Sequence, residues 1–533
     1  MPFSRVASMS GAEIGRRAVI GTGAAAAALL AVPAVRAAGR SARLIVCPAG
    51  KFAGQVDDDG VLSYRGIRYG RAGRFRAPVP FSYGDAIVKA YEFGPVAPQQ
   101  GDRYGPQSED CLFLNIWARQ PEKRPLLPVM LYIHGGAYSG GSVTDPLNDG
   151  AKLAARGDVV VVTVNHRLNA LGYLYLARLD PRFADSGNCG QLDLILALQW
   201  VKRNIAAFGG DPNRVMVFGQ SGGGAKIATL MGMAAAKGLF HRAATMSGQQ
   251  VTASGPLHAS ERTRAYLGRL GLSEHDLSPL LALPTERLVA ALDTPDPILG
   301  GGLYFGPVLD MTWLTRHPFW PDANPLGLAV PMILGNVHDE TRAFIPPDSD
   351  RVKGLGWDNL AARMAPELKI DILPEWVVAQ YRGHFPAWSP TDIFYAATTA
   401  GRSWRGQVIE AEARARAGAP AWVYQVDFTS RTDPRRGAFH TMDIPLVFGT
   451  LDAAGSQTGT GADAHAASRA MQSSFAAFAA TGDPNHPGLA HWPRYDLKTR
   501  ATMLFDVRSR IENDPRRWQR ELFACVPYIQ PGS

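Results

Sequence analysis

Apolar and polar residues alternate through the first part of the chain. In "GQVDDDGVLSYRGIRYG", residues 54–70, the alternation flanks an Asp/Gly turn cluster, the pattern of antiparallel strands with one covered face. A second β-rich stretch, "CLFLNIWA", starts at Cys111. The period then changes. "PVMLYIHGG" (128–136) and "DVVVVTVNHR" (158–167) read as buried strands, "QLDLILALQWVKRNIAAF" (191–208) as an amphipathic helix, and "RVMVFGQ" (214–220) as a third strand. Short, continuous β-branched runs such as 159–164 suit strands covered on both faces, and the strand–helix–strand order predicts a wound α/β sheet with a parallel centre.

From 251 to 330 the pattern becomes helical and Pro-punctuated, before "AVPMILGNVHDET" supplies another buried strand and its loop. A further helical region spans 355–418, "AWVYQVDF" is a late strand, and "SRAMQSSFAAFAATGDP" is a helix stopped by Gly482 and Pro484. Residues 454–468 read as a flexible surface loop, and no internal repeat is visible. The expected architecture is therefore α/β, a large, mostly parallel central sheet with helices on both faces and helical insertions roofing its carboxyl edge, where open α/β sheets bind ligands.

Composition narrows the class. A chain of 533 residues with 46% hydrophobic content can bury a sizeable core. The formal charge of +8 includes +3 from the first 37 residues, and no long basic run remains, so nucleic-acid partners are not indicated. Arg16 and Arg17 precede the apolar run "AVIGTGAAAAALLAVPAV", and "VRAAG" offers a small-residue cleavage site after Ala37. Residues 1–37 thus read as an export signal of twin-arginine type, residues 38–533 as one catalytic domain without a stable membrane anchor, and the location as periplasmic or extracellular. Cys47, Cys111, Cys189 and Cys525 are widely spaced and form no metal-binding pattern, and their pairing is open. The sequence carries no signal for oligomeric state.

Gly219-Gln220-Ser221-Gly222-Gly223 fits G-x-S-x-G between an apolar strand and a helix expected to begin near Gly224. The glycines let strand and helix approach while the serine occupies a strained turn, its hydroxyl held at the positive end of the helix dipole. A serine of ordinary acidity needs a base, an acid to orient that base, and donors for the developing oxyanion. "YIHGGAYSGG" supplies a loop of small residues, Gly135, Gly136 and Ala137, whose N–H groups can face a substrate oxygen together with the N–H of Gly222. His134, which leads that loop, reads as a buttress rather than the base. In the order Ser, acid, His, the acid falls on Asp339 or Glu340 in "GNVHDET", which the residues alone do not separate; His440 in "GAFHTMDIPL" is the base, with His338 nearby. Aromatic residues of the roof, Phe305, Trp313, Phe344 and Trp404, are candidates to line acyl or alcohol pockets.

Over most of its length the sequence resembles the type-B carboxylesterases, the family that includes cholinesterases and bile-salt-activated lipases. The resemblance rests on "SEDCLFLNIWA", "HGGAYSGG", "VNHRLNALGYL", "GDPNRVMVFGQSGGG", "FGPVLD", "GNVHDET" and "GAFHTMDIPLVFG", long motifs in one order. It implies an α/β-hydrolase fold, Ser221 as nucleophile, Glu340 rather than Asp339 as acid, His440 as base, an oxyanion hole at Gly136, Ala137 and Gly222 shaped by Gly135, a small-molecule ester as partner, and no metal or organic cofactor. Specialised variants of the same chemistry, on lipids, carbamates or amides, or toxins, share these residues. Catalytically inert binding relatives usually lose one of the three, whereas this chain keeps them all.

Three departures stand out. Gln220 and Gly222 replace the family's usual Glu and Ala beside the serine, which removes a negative charge next to the imidazole. No cysteine precedes Cys111 where the family's first disulfide partner would stand. "QLDL" at 191–194 replaces the commoner "LxDQ".

Overall fold

The computed structural model describes residues 43–57, 60–119, 125–530 and 532, so the export-signal reading of residues 1–37 lies outside the described residues. The strands of the main sheet are β1 (Arg43–Cys47), β2 (Gly50–Val56), β3 (Val61–Arg68), β4 (Phe113–Arg119), β5 (Leu127–Ile133), β6 (Val160–Val164), β7 (Gly210–Gln220), β8 (Arg242–Met246), β9 (Met332–Val337), β10 (Ala421–Val426), β11 (Ala501–Phe505) and β12 (Arg510–Asn513). They lie side by side in the order β1-β2-β3-β4-β6-β5-β7-β8-β9-β10-β11-β12, with the short strand Ile87–Lys89 added beside β2. Pairing is antiparallel from β1 to β6, parallel from β6 through β11, and antiparallel again at β12.

The parallel strands are buried along nearly their whole length because both faces are covered. In β5, Val129, Leu131 and Ile133 join one core, and Met130 and Tyr132 the other. The same division separates Val215 and Val217 from Met216 and Phe218 in β7. Helix α1 (Cys189–Asn204) packs on the first face through Leu192, Leu196 and Trp200. Helix α2 (Gly222–Leu230) follows β7 and buries Ile227 and Leu230 in that same core.

Helix α3 (Pro256–Leu270) opens the first insertion, whose remainder from Thr294 to Val330 is largely irregular rather than helical. The second insertion is helical as expected: α4 (Leu360–Leu368), α5 (Pro374–His384), α6 (Pro390–Thr399) and α7 (Arg405–Arg416), packed around Tyr381, Phe394 and Phe523. Between α6 and α7 the chain takes one wide π-helical turn, Ala400–Trp404.

Helix α8 (Asp443–Phe448) follows the loop that holds His440, and α9 (Ala462–Thr481) covers the second face of the sheet with Met471, Phe475 and Phe478. Residues 454–468 depart from the flexible loop expected. Helix α9 already begins at Ala462, and Ser456 and Thr458 are buried with their hydroxyls donating to the Leu451 carbonyl, which fixes the preceding turn. Strands β8, β11 and β12 were not legible in the sequence. β8 is "RAATM", where Ala and Thr give no apolar run to mark a buried strand. Among the described residues no helix is long and apolar enough to cross a membrane.

Candidate active site

Strand β7 ends at Gln220 and α2 begins at Gly222, two residues earlier than the sequence suggests, which leaves Ser221 alone on the turn at φ 55°, ψ −126°. Such a backbone costs a non-glycine residue about 1–3 kcal/mol and persists only where the surroundings enforce it. Here they do. The Ser221 N–H donates to the Met246 carbonyl at 2.7 Å and its carbonyl accepts from Ala225, while a Cβ at Gly219 would stand 2.7 Å from the Ile133 carbonyl oxygen of the neighbouring strand.

After β5 the chain folds over this turn. Gly136 (φ 87°) and Ala137 (φ 52°) hold left-handed backbone, and a Cβ on Gly222 would collide with the Ala137 carbonyl. The N–H groups of Gly136, Ala137 and Gly222 have no protein acceptor among the described residues. Gly135 lies against the Gln220 carbonyl and the Ser221 side chain, so the loop shaped by small residues sits directly on the turn.

His134 is buried; its Nδ1–H donates to the Gly135 carbonyl at 2.9 Å and its ring stacks on His166 with centroids 4.7 Å apart. Burial, with the nearby Lys226 charge, pushes its pKa down to about 3, so a neutral ring supports the loop.

Lys226, from α2, completes that support and was missed in the sequence, where a lone lysine in the apolar helix "GGGAKIATL" is its only signal. Its ammonium is buried, donates to the Ala137 carbonyl at 2.6 Å and lies 4.9 Å from the Tyr138 ring centroid. Burial pulls its pKa down to about 7. Gln191, the first residue of the unusual "QLDL", donates to the Lys226 carbonyl at 3.1 Å, and Asp193 forms a buried bidentate pair with Arg167. The polar change at Gln191 therefore has a partner behind the turn, and Asp193, which both patterns share, has its own.

The loop after β9 separates the two carboxylates that the sequence left side by side. Asp339 turns away, accepts from the Ala438 N–H at 3.0 Å and pairs with exposed His338 and with Arg342. Glu340 is fully buried; its Oε1 accepts from Asn336 at 2.9 Å and from the Val337 N–H at 3.0 Å, and its Oε2 accepts from His440 Nδ1. Burial alone would raise the Glu340 carboxyl, but the His440 imidazole and the Asn336 amide outweigh it and hold the group below the usual carboxylate range.

Past the imidazole, His440 Nε2 meets the Gln220 side-chain nitrogen at 3.2 Å. With Nδ1–H given to Glu340, Nε2 carries the lone pair, and the Gln220 amide donates to it. The Ser221 hydroxyl makes no hydrogen bond among the described residues. Asp443, at the start of α8, is a second buried carboxyl nearby. It accepts from Tyr424 at 3.0 Å, and burial together with the Glu340 charge pushes it up to about 7.

Ser221, His440, Gly135, Gly136, Ala137 and Gly222 line one cavity of about 730 Å³, inside the range usual for small-molecule sites. Of the four roof aromatics, only Phe344 reaches it, with its ring 4.7 Å from that of His440. Phe305 packs on Tyr266, Trp313 donates to Asp185, and Trp404 lies under Arg516 away from the cavity. Their apolar area goes into the insertions' own cores, a choice that helical spacing cannot express. All four cysteines are unpaired thiols, and Cys111 is wholly buried.

A parallel sheet with a strained serine between strand and helix, and a carboxylate-bound histidine above it, defines the α/β-hydrolase class. The profile of the Carboxylesterase family matches residues 41–522, and the chain belongs to that family: it is a serine hydrolase of carboxylic esters, type B. It is 34% identical to a para-nitrobenzyl esterase of Bacillus subtilis (strain 168) over 90% of this chain and 98% of that one. It is 32% identical to a fumonisin B1 esterase of Sphingopyxis macrogoltabida over 75% of this chain and 73% of that one. Among solved structures, a Geobacillus stearothermophilus carboxylesterase superposes with a TM-score of 0.79 at 33% identity, covering 90% of this chain and 99% of that chain.

Proposed function

We propose that the reaction is a two-step acyl transfer in which Ser221 is the nucleophile, His440 the base and Glu340 the acid that orients it. His440 takes the Ser221 proton as the oxygen attacks the ester carbonyl, and Glu340 stabilises the imidazolium that forms. The N–H groups of Gly136, Ala137 and Gly222 hold the tetrahedral oxyanion, the alcohol leaves with the proton from His440, and water repeats the sequence on the acyl-enzyme. The observation that carries this reading is the position of His440, with Nδ1 on Glu340 and Nε2 at the Gln220 amide beside Ser221. For attack to begin, the Ser221 hydroxyl replaces that amide on Nε2.

The cavity wall mixes apolar surface from Tyr138, Phe344 and Ile444 with the polar groups of Gln249, Gln250, Gln457 and Arg402, which can pair with polar parts of an ester. Specialised ester substrates, of which the relative named for fumonisin B1 is one case, are compatible with this mixed lining. Ser221→Ala is expected to abolish turnover of a p-nitrophenyl ester while the circular dichroism spectrum and melting temperature stay native. Activity within about tenfold of the parent would refute the assignment, because loss of such a nucleophile costs far more. We also propose that residues 1–37 direct export of the enzyme, which N-terminal sequencing of protein recovered outside the cytoplasm tests by finding a start at or near Ala38.

A further inference from the structure

We propose that Arg402, presented by the π-helical turn, is an anion-recognition residue of this cavity and that the preferred substrates are esters bearing a carboxylate on their acyl or alcohol part. This deepens the ester-hydrolase reading and rests on it. Three observations lead there. First, the wide turn Ala400–Trp404 interrupts an otherwise continuous helical run between α6 and α7, and such turns re-aim side chains and recur at functional sites. The residues it turns toward the cavity are Arg402 and Ser403.

Second, the Arg402 guanidinium is under-satisfied. Its side chain is only 29% exposed, yet it makes no hydrogen bond among the described residues, and its one ionic partner, Glu367, stands 4.0 Å away. Glu367 gives its Oε1 to Arg351 at 2.8 Å, and its Oε2 stays beyond hydrogen-bond distance of Arg402. What Arg402 does touch is Phe344, whose ring centroid lies 4.2 Å from the guanidinium carbon and 4.7 Å from the His440 ring. The free donors are thus two ring contacts from the imidazole.

Third, among the described residues the cavity wall offers Arg402 no free anion. The carboxylate in its wall, Asp145, is spent on Arg103 at 2.8 Å, on the Tyr104 hydroxyl at 2.7 Å and on the Leu147 N–H at 3.0 Å. A planar guanidinium with unused N–H groups, stacked on an aromatic ring and mostly buried, is built for bidentate contact with a carboxylate. Stacking on Phe344 limits the freedom it would lose on binding.

The test compares kcat/KM for mono-p-nitrophenyl succinate and 4-acetoxybenzoate, which carry the carboxylate on the acyl and the alcohol side, with that for neutral p-nitrophenyl butyrate. The expected result is that Arg402→Met lowers the anionic-to-neutral ratio for at least one of the two anionic esters by about tenfold or more, through KM. Arg402→Lys, which keeps the charge but loses the planar fork, is expected to give a ratio between those of the parent and Arg402→Met. A ratio unchanged in Arg402→Met, or one that falls equally in both variants, overturns the inference, since the ratio cancels any general loss from a loosened turn. Failure of the underlying reading would show separately, as activity surviving in Ser221→Ala whatever the Arg402 ratio does.

Discussion

Substitution of Gln220 by Glu tests how the residue before the proposed nucleophile, Ser221, sets the working pH. Gln220 is almost wholly buried, and its side-chain nitrogen lies 3.2 Å from His440 Nε2. A carboxylate there would stand about 4 Å from the centre of the imidazolium charge; at an effective dielectric of about 20, that is worth about 4 kcal/mol. Converted at about 1.4 kcal/mol per pH unit, the attraction amounts to about three units. Burying the new charge offsets part of it, so a displacement of about one to three units is expected. The sign follows from which form is favoured. A neighbouring carboxylate stabilises the imidazolium, and an imidazolium cannot accept the Ser221 proton. The acid limb of the kcat/KM profile should therefore move to higher pH while the alkaline plateau is largely kept. The assay is hydrolysis of neutral p-nitrophenyl acetate across the pH range in the parent and in Gln220→Glu, with melting temperatures taken at each pH. The same pair is measured in an Asp443→Asn background, because burial and the Glu340 charge push Asp443 up to about 7. An acid limb that stays in its parental position in both backgrounds would refute the electrostatic role given to Gln220.

Lys226→Met keeps the length of the side chain but removes the donor to the Ala137 carbonyl and leaves that carbonyl buried without a partner, a cost of about 1–3 kcal/mol. Because the loop carries two of the three proposed oxyanion donors, kcat is expected to fall at least about tenfold with little change in KM; a purely KM effect would contradict the role of Lys226 in placing the loop. Asp443, raised to about 7, keeps its proton in the folded state at pH values where the unfolded chain has lost it. Its contribution to stability is therefore complete below about pH 4 and is lost as pH rises to about 7, on the order of 4 kcal/mol in all. Asp443→Asn should accordingly gain in melting temperature relative to the parent between pH 4 and pH 7, and a difference independent of pH would contradict the raised carboxyl.

The Ser221 turn was legible in the sequence because its chemistry is local. A β-branched and apolar run, glycines around one serine and a helix behind it occupy fewer than twenty consecutive residues, and period and turn chemistry report such short-range order directly. The small-residue loop at Gly135, Gly136 and Ala137 and the parallel character of the sheet centre were legible for the same reason. Strand β8 was not, since "RAATM" acquires its strand character from pairing with β7 and β9 on either side.

What only the tertiary structure decided are contacts between residues far apart along the chain. Asp339 and Glu340 are equivalent by composition and spacing, and they separate only because the loop carrying Ala438 and His440 packs over them and takes one carboxylate with a backbone N–H and the other with an imidazole. Gln220, a departure from pattern in the sequence, becomes a hydrogen-bond partner of His440 once β7 and the loop before α8 meet. Phe344 reaches the cavity while Phe305, Trp313 and Trp404 do not, and Arg402 gains its place from a single wide turn. Sequence periodicity records which residues avoid water; which of them meet one another is fixed by packing across the sheet edge, where no local pattern carries the information.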